Sequence, residues 1–273
     1  MEDIKRTILI IGAGPGVGLS VAKKFGSEGF NVGLIARNTQ KMDYMLKELK
    51  TLNINAKGFL ADYYDKEALD KALDAAIDHF GFIDTVEMQF MKKNVATSNS
   101  NQDSLETRKL QSNAGVIGLE SDEVLLWIES QIEPAMQIVN KLLPHMQEHR
   151  QNYVSGFICP MGWSGIWPAE AGNDAPNELP YHILRKLPPA IAFSTLIKYL
   201  EFLNAQMCYD NIYAVADMLA LWVKPNTPTS PDAIAEDMYT RIFLPRQTDP
   251  LLRRKVIEVF PENVHRASDL IRY

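Results

Sequence analysis

The stretch Thr7 to Gly18 reads TILIIGAGPGVG. Its first five residues are apolar and mostly β-branched, as expected of a strand buried on both faces of a parallel sheet. Four glycines, Gly12, Gly14, Gly16 and Gly18, then end the strand. Apolar residues at Leu19, Val21, Ala22, Phe25 and Phe30 fit a helix stopped near Gly26 and Gly29. Glycine suits this junction because the chain must turn sharply and let a pyrophosphate approach the backbone, where free amides and the helix dipole meet its charge. The alternative is a tight strand–helix turn without a ligand. The strand before and the helix after favour a dinucleotide, held by Gly12, Gly14, Pro15, Gly16, Val17 and Gly18.

Outward from this loop the same alternation repeats. Asn31 to Ala36 (NVGLIA) predicts a second strand, and Lys41 to Leu52 a helix with Met42, Met45, Leu46 and Leu49 on one stripe. Ala56 to Ala61, Glu67 to Phe80 and Ile83 to Phe90 predict a third strand, a third helix and a fourth strand. Strands separated by single helices imply right-handed βαβ crossovers, hence an α/β fold with a single doubly wound parallel sheet and helices on both faces. Beyond it, Met91 to Asp122 is polar and reads as an insertion or lid before a helix at about Glu123 to Met146. Gly156 to Met161 predicts a fifth strand, Gly165 to Pro189 a Pro-rich loop, Ala190 to Cys208 a long apolar helix and Ile212 to Ala216 a sixth strand. A Pro/Thr-rich segment around Lys224 to Pro231 precedes one or two final helices. One domain over residues 1–273 accommodates all of this, with a variable C-terminal region from about 218.

The chain has 273 residues and a formal charge of −6, with 46% hydrophobic and 23% charged residues. This is the composition of a soluble globular protein. No apolar run approaches the roughly 18 residues that span a bilayer, and no small-residue cleavage site follows the N-terminal MEDIKRTILI, so a cytoplasmic location and no membrane partner are expected. A negative balance without a basic stripe argues against nucleic acid. The run Arg253, Arg254, Lys255 reads as a solvated helix face. Cys159 and Cys208 have no neighbouring ligand and read as buried free thiols.

The end of the second strand selects the dinucleotide. A carboxylate there would accept from a ribose 2′-hydroxyl; this chain instead has Ala36 followed by Arg37 and Asn38. A guanidinium pairs well with a 2′-phosphate, so NADP(H) is expected over NAD(H). An arginine lying on the surface is the alternative.

These motifs resemble those of the short-chain dehydrogenase/reductase superfamily. GAGPGVG is similar to its TGxxxGxG, with Gly12, Gly16 and Gly18 in place and Ile11 where Thr is usual. LIARN looks like the NADP type of second strand. ADYYD is similar to the segment whose Asp, here Asp62 with Tyr63 beside it, contacts the adenine, and LLPHM (Leu142 to Met146) is similar to the end of the helix before the fifth strand. The resemblance implies a Rossmann-like fold, a small carbonyl or alcohol substrate, and a homodimer or homotetramer formed through the long helices.

It also implies an Asn, Ser, Tyr, Lys set, in which a Tyr hydroxyl moves a proton to or from the substrate oxygen and a nearby cation lowers its pKa. Counting back from LLPHM, the helix Asn falls at Gln131. The Ser position falls at Ser164, which reads equally as a turn serine. Tyr181 is the candidate proton donor, with Arg185 four residues later and Lys186 after it, so YxxxK is broken. Arg keeps the charge without the compact ammonium. Pro188 and Pro189 are expected to interrupt the helix carrying the Tyr and Lys. Aligning back from IYAVA places the two positions near Pro189 and Phe193 instead, and neither alignment restores the motif. Packing of Tyr181 over the cleft is the alternative.

SNAG, Ser112 to Gly115, looks like the family's NNAG but should directly follow the fourth strand, where Met88, Gln89, Phe90 and Met91 stand. Asp217 and Met218 occupy the place of the Pro-Gly pair beside the nicotinamide. His145, Glu148 and His149 lack the HExxH order and lie at a helix end, where the dipole favours His, so no metal is expected. The expected function is an atypical NADP(H)-dependent oxidoreductase, and the alternative a catalytically inactive dinucleotide-binding regulator.

Overall fold

The computed structural model describes residues 5–90, 121–162, 187–219, 226 and 230–259. Thr7–Ile11 forms β1 and Asn31–Ala36 β2, and every residue of both is buried. Such strands need helices on both faces, and the chain supplies them. Between β1 and β2 runs α1 (Val17–Ser27). Then follow α2 (Thr39–Thr51), β3 (Ala56–Leu60), α3 (Lys66–Phe80) and β4 (Thr85–Met88). The side chains of Asn38 and Asp65 open α2 and α3 by accepting from the Lys41 and Ala68 amides at 2.9 and 3.0 Å. Each satisfies a donor that the first helical turn leaves unpaired.

The second half repeats the scheme with longer elements: α4 (Ser121–His149), β5 (Ser155–Gly162), α5 (Leu187–Met207) and β6 (Ile212–Leu219). A C-terminal unit follows, made of α6 (Pro231–Asp237), a π-helical turn (Met238–Phe243), α7 (Leu244–Thr248), a 3₁₀ turn (Leu252–Arg254) and β7 (Ile257–Val259). Among the described residues the strands form one parallel sheet in the order β3-β2-β1-β4-β5-β6-β7. The order reverses beside β1, so the loop after β1 sits at the switch point where open α/β sheets bind ligands.

Two apolar layers cover the sheet. One face, with Leu9, Ile11, Val86 and Phe157, packs against Leu73 of α3, Ile138 and Leu142 of α4 and Leu196 and Leu200 of α5. The other, with Ile8, Ile10, Ile158 and Val215, packs against Val21 and Phe25 of α1, Met45 of α2, and Ile234 and Phe243 of the C-terminal unit. The expected doubly wound sheet with helices on both faces is therefore what the chain forms.

Three expectations are corrected. Pro188 and Pro189 do not interrupt the helix before β6 but fall in its first turn, where the missing N–H has no carbonyl to meet. Arg253 is not on a solvated helix face: it lies in a 3₁₀ turn, 7% exposed, donating to the carbonyls of Arg246 and Gln247 and to Asn211 Oδ1. And the C-terminal region ends, among the described residues, in a seventh strand, β7, as well as the expected helices. The insertion of 91–122 and the loop of 165–189 lie largely outside the described residues.

Candidate functional site

The loop between β1 and α1 is fixed from three sides. The Gly12 and Ala13 amides both donate to Ile35 O of β2, at 3.0 and 3.1 Å, and the Gln89 amide, just after β4, donates to Ile11 O at 2.9 Å. Gly12 has φ +85, and a Cβ built there would lie 2.1 Å from Gln89 O and 3.4 Å from Tyr63 Cε1. Glycine is thus required at position 12 by the protein itself. At Gly18 a Cβ would come within 3.2 Å of Ala13 Cα, so this glycine lets the helix close on the loop.

Gly14 and Gly16 differ: a Cβ at either would meet nothing within 4 Å. The space in front of them is open. Gly16 precedes α1 with no side-chain cap, and the first turn of α1 holds no acidic residue. An uncapped helix start facing open space, with no carboxylate to compete, fits a diphosphate. Pro15 and Val17 complete this edge, Pro15 exposed and Val17 buried in the core beneath.

At the end of β2, Arg37 is exposed and its Nη1 stands 3.3 Å from Asp62 Oδ2. Asp62 Oδ1 accepts from the Tyr64 amide at 3.1 Å. Tyr63, next in the chain after Asp62, has its ring 4.4 Å from Tyr64 and 5.3 Å from Phe90. The structure brings Gly12, Tyr63, Asp62 and Arg37 into one continuous rim. Asn38 follows Arg37, but its Oδ1 is committed to capping α2.

Gln131 lies on α4, 1% exposed, and its Nε2 has no hydrogen-bond partner among the described residues. Ser164, Tyr181, Arg185 and Lys186 lie outside the described residues, as does the SNAG segment. Asp217, at the Pro-Gly position, is buried inside β6 rather than at its end. Burial pushes its carboxyl up to about 7, against the pull of Arg241.

His145, Glu148 and His149 offer ligand atoms within 4.8 Å of one another. His145 Nε2 already accepts from the Ile83 amide at 3.2 Å, while His149 Nδ1 donates to the His145 carbonyl at 3.1 Å. His145 and His149 also pack on Phe82, and coordination through His145 Nε2 would strip the Ile83 amide of its acceptor. Sequence reasoning missed Gln89 as the wall behind Gly12. Its position directly after β4 is the signal that could have found it.

A family model described as short chain dehydrogenase matches residues 6–154. An uncharacterized oxidoreductase of Staphylococcus epidermidis is 37% identical over 87 residues, which is 32% of this chain and 36% of the relative. Versicolorin reductase of Emericella nidulans is 32% identical over 82 residues, 30% of this chain and 31% of the relative. The matched stretches span about a third of the length of these curated relatives. Among solved structures, LigD in its apo form from Sphingobium sp. strain SYK-6 superposes with TM-score 0.68 at 15% identity, covering 98% of this chain and 95% of that one. An actinorhodin polyketide ketoreductase variant with NADPH gives 0.67 at 14% identity, covering 95% and 97%. At such identities these structures attest the fold alone; the family model, matching more than half of the sequence, makes this chain a member of the short chain dehydrogenase family.

Proposed function

We propose that the chain is an NADP(H)-dependent oxidoreductase acting on a small carbonyl or alcohol, built as one domain over residues 1–273 and assembling as a homodimer or homotetramer. The observation that carries this reading is the loop geometry: open space before Gly14 and Gly16 at an uncapped helix start, with Arg37 held on the same rim. In this reading the α1 amides bind the pyrophosphate, Arg37 meets the 2′-phosphate, and Asp62 and Tyr63 flank the adenine. The bound nicotinamide supplies or accepts a hydride. Ser164 orients the substrate oxygen, Tyr181 moves the proton at that oxygen, and Arg185 and Lys186 supply the positive charge that favours its phenolate. The Gln131 amide, without a partner among the described residues, binds a water.

The names of relatives support a reduction: versicolorin reductase and a peroxisomal 2,4-dienoyl-CoA reductase of Arabidopsis thaliana are both reductases. A second reading, a dinucleotide-binding protein without turnover, is favoured by Arg185 standing where the family has lysine and by the buried Asp217 in place of the Pro-Gly pair. NADPH fluorescence titration tests the binding shared by both readings, and absence of binding defeats both. Arg37→Ala is expected to weaken NADPH about tenfold or more, roughly 1.4 kcal/mol, and leave NADH nearly unchanged. An unchanged preference would overturn the cofactor assignment. Turnover on a panel of carbonyls, abolished in Tyr181→Phe, separates the enzyme from the binding protein.

A further inference from the structure

Behind the glycine loop, on the face that carries α1 and α6, the sheet contains two carboxyls where an apolar core is expected. Glu87 of β4 lies in register between Ile10 of β1 and Ile158 of β5, and Asp217 of β6 lies opposite Pro160 of β5. Both are 0% exposed, and none of their four oxygens has a hydrogen-bond partner among the described residues.

The charged groups nearby are already committed. Arg241 stands 3.6 Å from Asp217 Oδ1 but donates twice to Asp237, at 2.8 and 2.6 Å, and once to Glu258 at 2.9 Å. Arg246 and Lys255 also donate to Glu258, at 2.7 and 2.8 Å. Arg241, Arg246 and Lys255 thus donate to Asp237 and Glu258, none of them donates to Glu87, and Asp217 has Arg241 only at 3.6 Å. From α1 the polar group is Ser20, whose hydroxyl donates to Asp232 of α6 at 2.6 Å. From β1 come Ile8 and Ile10, and from β5 Ile158 and Pro160; the latter has no N–H to offer, and Cys159 points to the other face. An ionised carboxylate without a partner is prohibitively costly in such a site, so it holds a proton instead.

We propose that Glu87 is a protonated carboxyl on the same sheet face as Asp217, with β5 between them, and that it acts as a pH-sensitive lock that keeps the C-terminal unit, α6 to β7, seated on the sheet while its proton is held. Loss of that proton places two like charges in the core on either side of β5. Asp217 then competes with Asp237 and Glu258 for Arg241, the residue that ties the π-helical turn to β7. Burial, reinforced by the Asp217 charge, pushes the Glu87 carboxyl up to about 8. Because the folded chain holds the proton more tightly than the unfolded one, stability falls as pH rises from the ordinary carboxylate range to about 8 and is flat beyond.

Thermal denaturation of the full chain between about pH 5 and pH 9 tests the lock. Glu87→Gln mimics the protonated side chain, so its Tm is expected to gain on the wild type as pH rises, by roughly 5 °C or more at pH 8, and no further above it. Hydrogen exchange within residues 231–259 is expected to quicken with pH in the wild type and not in the variant. A Tm difference that does not change with pH overturns the proposal. Asp217→Asn is expected to shift the wild-type fall to lower pH, and an unmoved fall overturns the influence of Asp217 on Glu87. If the variants do not fold, the infrared carbonyl band of a protonated carboxyl, present in the wild type at about pH 6 and gone by about pH 9.5, serves instead; its absence at the lower pH overturns the proposal. None of these readouts involves a nucleotide, so their failure leaves the dinucleotide reading standing.

Discussion

Gly12 and Gly14 are two residues apart and do opposite things. At Gly12 the backbone conformation and the Gln89 carbonyl both exclude a side chain, whereas at Gly14 the protein leaves room for one. Gly12→Ala is expected to cost about 2 kcal/mol or more in stability, from the left-handed φ and the contact with backbone, and to misplace the loop. Gly14→Ala is expected to fold with nearly wild-type stability, since a Cβ there meets nothing within 4 Å, yet, on the proposed function, to bind NADPH poorly because its methyl enters the space proposed for the diphosphate. Thermal denaturation alongside NADPH titration distinguishes the two outcomes, and equal loss of stability would remove the argument that Gly14 serves the ligand. Arg37 and Asp62 show a related division: both belong to the expected rim, but only the structure pairs them with each other. Their separation of 25 residues hides that contact from any local reading.

The elements differ in how plainly the sequence announces them. β1 and β2 are legible because strands covered on both faces are unbroken apolar runs, and α3 because its apolar positions recur at helical spacing between Asp65 and Gly81. Asp65→Ala is expected to cost about 1 kcal/mol by removing the Ala68 amide's acceptor, with a matching drop in denaturation midpoint. No change would show that solvent replaces the cap. α5 is legible from its apolar run, but it starts at Leu187 rather than at the expected Ala190, because the effect of a proline depends on which turn it occupies. β7 is three residues long and contains Glu258, whose charge hides the strand; the burial of that charge is made tolerable by Arg241, Arg246 and Lys255, contributed from elsewhere in the unit. The glycine loop is legible as a strand–turn–helix junction because its signal is local. The proton-transfer half is less plain in the sequence, because Arg185 stands where the YxxxK spacing calls for lysine; Ser164, Tyr181 and Arg185 lie outside the described residues.

At the scale of the whole molecule, the parallel order directs the carboxyl ends of all seven described strands to one side, and the reversal beside β1 puts the glycine loop there as well. Two apolar layers cover the faces of the sheet. Arg6 pairs with the buried Asp84, donates to the Val154 carbonyl and lies over Phe30 and Phe243, tying the start of β1 to β4, β5 and the C-terminal unit. Between these layers β5 carries Cys159, fully buried, its thiol pushed up by burial, while Cys208 lies half-buried just past α5. The chain therefore contains its own two-speed chemical clock. Under a thiol-specific reagent in excess, Cys208 is expected to react first and Cys159 only when β5 parts from its neighbours. The lag between the first and second equivalents then measures how often the centre of the sheet opens, with no residue altered, and simultaneous labelling of both would show that β5 is not the rigid middle of this protein.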